Sequence, residues 1–67
     1  MPSHIERYRD YRLAVYSPGG HFAVITAPGS NAVLDLRERQ PRSTVVEGVD
    51  TCLERAKTLV DRLIESS

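Results

Sequence analysis

Ser43-Thr-Val-Val-Glu-Gly-Val-Asp-Thr-Cys-Leu-Glu-Arg-Ala-Lys-Thr-Leu-Val-Asp-Arg-Leu-Ile-Glu-Ser-Ser67 is the stretch that decides how this chain folds. From Val49, apolar residues recur at Cys52, Leu53, Ala56, Leu59, Val60, Leu63 and Ile64, the 3.6-residue period of a helix with one buried face. Polar residues (Asp50, Thr51, Glu54, Arg55, Lys57, Thr58, Asp61, Arg62, Glu65) fill the other positions. Thr44 with Glu47 three residues on matches a capping box, in which each side chain bonds the other's backbone amide. Val45 and Val49 extend the stripe toward that cap. The helix is therefore expected to start there, running through Gly48 at a cost of about 1 kcal/mol relative to alanine.

Upstream, the chain breaks into short strands. Ser17-Pro-Gly-Gly20 and Ala27-Pro-Gly-Ser-Asn31 carry Pro-Gly pairs suited to the centre of type II turns. They divide the region into strands near Tyr8–Ser17, His21–Ala27 and Ala32–Arg37, linked closely enough to form an antiparallel meander. The expected fold is α+β: a three-stranded antiparallel sheet with one C-terminal amphipathic helix on one face, in the order β-β-β-α. Residues 1–67 form a single small domain, with 1–7 as a flexible or edge-strand arm.

A four-residue first turn pairs Tyr16 with His21, Val15 with Phe22 and Leu13 with Val24. A three-residue second loop then sets Val24 against Leu34 and Phe22 against Leu36. This register collects the large apolar residues under the helix. The opposite face would carry Arg12, Ala14, Tyr16, His21, Ala23, Ile25, Val33 and Asp35. Its middle is small and apolar where a solvated face would alternate to charge. Ala14, Tyr16, His21, Ala23, Ile25 and Val33 are accordingly the expected dimer or partner surface.

Size and charge narrow the classes. A chain of 67 residues buries only roughly 60% of its unfolded surface and needs support beyond its own core. One cysteine, Cys52, allows no internal disulfide and no cysteine-rich zinc site, so self-association as a homodimer is the expected support. Nine basic residues balance nine acidic ones, so no global charge steers the chain to nucleic acid or anionic membrane. No apolar leader or membrane-length apolar run is present, and a cytoplasmic protein without membrane contact is the expectation.

Chemistry-bearing motifs are sparse. His4-Ile-Glu-Arg-Tyr-Arg-Asp-Tyr-Arg12 interleaves Arg7, Arg9 and Arg12 with Tyr8 and Tyr11, the residue types that grip single-stranded nucleic acid. Glu6 and Asp10 in the same run fit a charge-protected edge strand equally well. Arg37, Arg39 and Arg42 lie in a charged connection read as a solvated crossover, with phosphate or an acidic partner as the alternative. His4 and His21 have no histidine or cysteine nearby in sequence. Cys52 falls on the buried stripe, where cysteine acts as a small hydrophobe. No catalytic residue, cofactor or metal is expected. The reading is a non-enzymatic binding or regulatory module, a homodimer, with nucleic-acid binding by the Arg/Tyr arm and open sheet face as the alternative.

Gly19-Gly-His-Phe-Ala-Val24, the Pro28-Gly29 turn and Thr44-Val-Val-Glu-Gly-Val49 with Ala56 resemble the HicB-type antitoxin domain over residues from about 11 to 66. That resemblance implies a partial ribonuclease H-like fold and a small non-catalytic module that dimerises or masks a partner. It carries over no binding residue.

Overall fold

The computed structural model describes residues 1–30 and 32–66; the expected turn position Asn31 and the expected helix end Ser67 lie outside the described residues. The elements are β1 (His4–Tyr8), β2 (Tyr11–Tyr16), β3 (His21–Thr26), a 3-10 turn (Arg37–Arg39), β4 (Arg42–Ser43) and α1 (Gly48–Glu65). The four strands form one antiparallel sheet in chain order, and α1 covers one face. The α+β class and the C-terminal helix match the expectation, and the strand count is corrected from three to four.

The additional N-terminal strand comes from a hairpin that the sequence hides. Tyr8 and Tyr11 pair directly, leaving Arg9 and Asp10 as a two-residue turn with φ of 51° and 70°. Positive φ at both central positions is the type I′ geometry that follows the twist of paired strands, and glycine or asparagine usually signals it. Arg9-Asp10 lacks that signature. Compensation comes from α1, where Asp61 accepts a 2.9 Å hydrogen bond from Arg9 and 2.9 and 3.1 Å hydrogen bonds from the Tyr8 hydroxyl. Glu6 pairs with Lys57, whose ammonium lies 5.7 Å from the Tyr8 ring centroid. β1 is thus fastened to the helix by its charged residues.

The register differs from the expectation by one residue. Tyr16 pairs with Phe22, Val15 with Ala23, Ala14 with Val24 and Leu13 with Ile25. The Ser17–Gly20 loop takes in one more position, and Gly19 does not adopt the positive φ of a type II turn. Side chains alternate with a period of two, so a one-residue slip turns all of β3 over. Ala23 and Ile25, expected on the open face, are buried under α1. Phe22 and Val24, expected in the core, take their place on the open face. Leu13, Val15, Ala23 and Ile25 pack against Cys52, Leu53, Ala56, Leu59 and Val60. Phe22 is compensated by stacking on Tyr16, with ring centroids 5.4 Å apart and planes at 16°.

The expected strand at Ala32–Arg37 shrinks to one bridge, Val33 to Thr26, with the Leu34 amide donating 2.9 Å to the Ile25 carbonyl. The chain then leaves the sheet, with Leu34 and Leu36 half-buried at the core edge and Arg37 at φ 49° opening the 3-10 turn. It returns as β4, pairing Ser43 with His21 and Arg42 with Phe22. Pro41 is buried, and its carbonyl accepts the Ala23 amide at 2.9 Å. The type II geometry at Pro28-Gly29 is as expected, with Gly29 at φ 68° and the Ser30 amide reaching the Ala27 carbonyl at 3.4 Å, but the Thr26–Val33 bridge is one residue out of the register that set Val24 against Leu34 and Phe22 against Leu36.

The capping box forms, with the Glu47 amide donating to Thr44 Oγ1 at 3.1 Å and the Thr44 amide to Glu47 Oε1 at 2.9 Å. It closes a separate turn, because Gly48 at φ 86° redirects the backbone before the helix proper. Val45 is consequently 66% exposed and is not part of the buried stripe.

Candidate functional site

The sheet face away from α1 carries three cross-strand rows. Ile5, Ala14 and Val24 form the middle row; Arg7, Arg12 and Thr26 form one flank; Tyr16, Phe22 and Arg42 form the other. No element of the described chain covers this face. Ile5 is 49% exposed, whereas Ala14 is only 3% exposed because its methyl sits in the floor between larger neighbours. The result is an apolar band with arginine at both ends. The strand residue Glu6 lies on the helix side, and Asp10 comes near the open face from the β1–β2 turn.

Arg7 and Arg12 are direct cross-strand neighbours, an arrangement that is unfavourable for like charges. Neither guanidinium has an ion pair or hydrogen bond among the described residues. They line a cleft of about 480 Å³ with Asp10, Thr26 and the Pro28-Gly29 turn. The negative charge of an anionic partner, or the face of an aromatic ring, would offset that repulsion. Arg9, the third arginine of the N-terminal run, is held by Asp61 and points away from this cluster.

The expected partner surface is therefore divided. Ala14 and Tyr16 lie on the open face, while Ala23 and Ile25 are under the helix. Val33 is 58% exposed at the sheet margin. His21 sits at the end of β3, where its Nδ1 shares a 2.6 Å hydrogen bond with Ser17 Oγ, which in turn meets Ser3 Oγ at 2.7 Å. This chain of hydroxyls and imidazole pins the N-terminus to the β2–β3 turn. A nucleophilic serine needs its histidine oriented by a third group, and among the described residues no carboxylate bonds His21. Ile5 was given no role from the sequence, Phe22 and Val24 were placed in the core, and Arg42 was read only as part of the crossover connection. The apolar Ile5 between charged neighbours was the one signal available for the first of them.

Several other ionisable groups fasten the scaffold. Arg55 grips Glu47 through two hydrogen bonds of 2.7 and 3.2 Å and, with the Thr44 amide, holds that carboxyl down to about 2. Lys57 lowers the Glu6 carboxyl, and Arg9 followed by Tyr8 lowers that of Asp61. Burial pushes the Cys52 thiol up, which disfavours the thiolate that a nucleophile requires. Among the described residues no group of three or more histidine, cysteine or acidic side chains could hold a metal ion, and no helix is long and apolar enough to cross a membrane.

Comparison of the chain with protein-family models, with curated proteins and with solved structures gives no match.

Proposed function

We propose that this chain is a non-enzymatic binding module that works as a homodimer through its open sheet face. The observation that carries the reading is the self-complementarity of the three rows. A two-fold axis in the plane of the face, crossing the strands along the Ile5–Ala14–Val24 row, sets that apolar row on its own copy. The same rotation lays each flanking row on the opposite flank of the other copy. Arg12 then meets the partner's Tyr16, and Phe22 meets the partner's Thr26. An isologous pair needs this kind of match, in which one patch complements itself.

A two-fold axis along β2 instead would place Arg12 against its own copy without a counter-ion, so the crossing axis is favoured. Arginine over a tyrosine ring contributes about 0.5–1 kcal/mol at exposed sites, and the symmetry makes the contact twice. Five residues at ~3.3 Å across four strands at ~4.8 Å give a footprint of roughly 300 Å². That is well below the ~800 Å² per partner of a standard interface, so the dimer is expected to dissociate in the micromolar range. The motifs that resemble HicB-type domains fit the same reading of a non-catalytic module that dimerises or masks a partner.

Sedimentation equilibrium of Arg12→Ala tests the axis. Loss of two arginine–tyrosine contacts is expected to weaken the dimer roughly 5- to 30-fold, with the circular dichroism spectrum unchanged. An unaltered dissociation constant would contradict this pairing.

A further inference from the structure

The crossover segment and the helix together build a second surface, outside the middle row of the sheet. A groove of about 630 Å³ runs between residues 39–42 and α1, with Arg39 and Arg42 on one wall and Arg55 and Arg62 on the other. No continuous stretch of sequence contains this set; it exists only because β4 brings the crossover back beside the helix. Arg55 is occupied by Glu47 and by the Arg42 carbonyl at 2.7 Å. Among the described residues, the guanidiniums of Arg39, Arg42 and Arg62 have no ion pair or hydrogen bond. Among the described residues Glu54 is the one carboxylate in the lining, so three unpaired cations face one anion there. A neutral chain thus concentrates uncompensated positive charge in one groove.

We propose that this groove binds the phosphodiester backbone of single-stranded nucleic acid. The spread of the cations favours a chain of phosphates over one compact anion. Arg62 lies on the helix wall and Arg39 and Arg42 face it from the other, so the three unpaired guanidiniums are spread over both walls of the groove. A single phosphate reaches one end, while a strand lying along the groove reaches both. Guanidinium forks match phosphate oxygens in a bidentate way. Pro41 and Leu59 supply an apolar floor. A cationic track along the backbone is the electrostatic part of sequence-tolerant single-strand binding.

The test is fluorescence anisotropy of a labelled oligothymidylate of about 12 nucleotides, a length within the usual single-strand site size, titrated with the full chain at several salt concentrations. Three phosphate contacts predict a slope of log K against log salt near −2, which is a loss of roughly 20-fold between about 50 and 200 mM salt. In the double variant Arg39→Gln, Arg62→Gln one unpaired contact remains, and the same change in salt is expected to cost only about threefold. Both substitutions are at exposed positions off the sheet face and are expected to leave the native mass unaltered, so failure of this site is separable from failure of the dimer. Absence of binding at low salt, an unchanged salt slope in the double variant, or equal displacement by polyglutamate would each overturn the proposal. The last would reassign the groove to an acidic peptide.

Discussion

Gly48 shows most sharply how one residue sets the geometry of this molecule. Read on a helical wheel, it is a weak point inside a continuous helix, and alanine there would stabilise by about 1 kcal/mol. Its backbone has φ 86°, however, so an alanine would be held in a left-handed conformation, costing roughly 1–2 kcal/mol. A Cβ built there meets no atom within 4 Å, so the cost is conformational and not steric. Gly48→Ala is therefore expected to lower stability by about 1 kcal/mol, measurable as a reduced urea midpoint. A stabilised variant would show that the helix runs unbroken through the cap. The same glycine explains the exposure of Val45 and Val46: the capped turn at 44–47 is swung off the helix axis, and the two valines go with it.

At the scale of elements, three acidic tie points join the segments that precede α1 to the helix itself. Glu6 with Lys57 and Asp61 with Tyr8 and Arg9 fasten β1, and Glu47 with Arg55 fastens the capped turn. All three carboxyls are held below their ordinary values in the folded chain. A depressed acid contributes stability above its unfolded pKa, and that contribution is lost as pH falls through the folded one. For Glu47 the window runs from 4.5 down to about 2. The melting temperature is expected to fall across this interval, and less steeply in Glu47→Gln; a flat profile in both proteins would contradict the role given to these ties. The helix was legible in the sequence because nothing interrupts its period from Val49 to Ile64. The β1–β2 hairpin was not, since Arg9-Asp10 carries no glycine and its turn is held by Asp61, a residue distant in sequence. β3 was found but inverted, because a five-position connection including His21 and a four-residue turn differ by one residue. Much of the candidate site depended on that one residue: Ala14 and Tyr16 on β2 stayed on the open face, while Ala23 and Ile25 exchanged places with Phe22 and Val24.

For the whole molecule, the two faces of the sheet divide the work. One face holds the fold together through a small core in which Ala23 and Ala56 are fully buried among the larger side chains. No described element covers the other, whose apolar row is the proposed dimer band. Ile25, expected on the partner surface, is 0% exposed, so a charge there would attack the core and not the dimer. Val24 is the position that separates the two faces. The most direct measurement is native mass by light scattering over a dilution series, for the wild-type chain beside Val24→Glu. The dimer account predicts twice the 7.5 kDa chain mass at high concentration, falling to the monomer on dilution, and a monomer throughout for Val24→Glu with its helical signal intact. A wild-type monomer at every concentration, or a dimer indifferent to Val24→Glu, would contradict it.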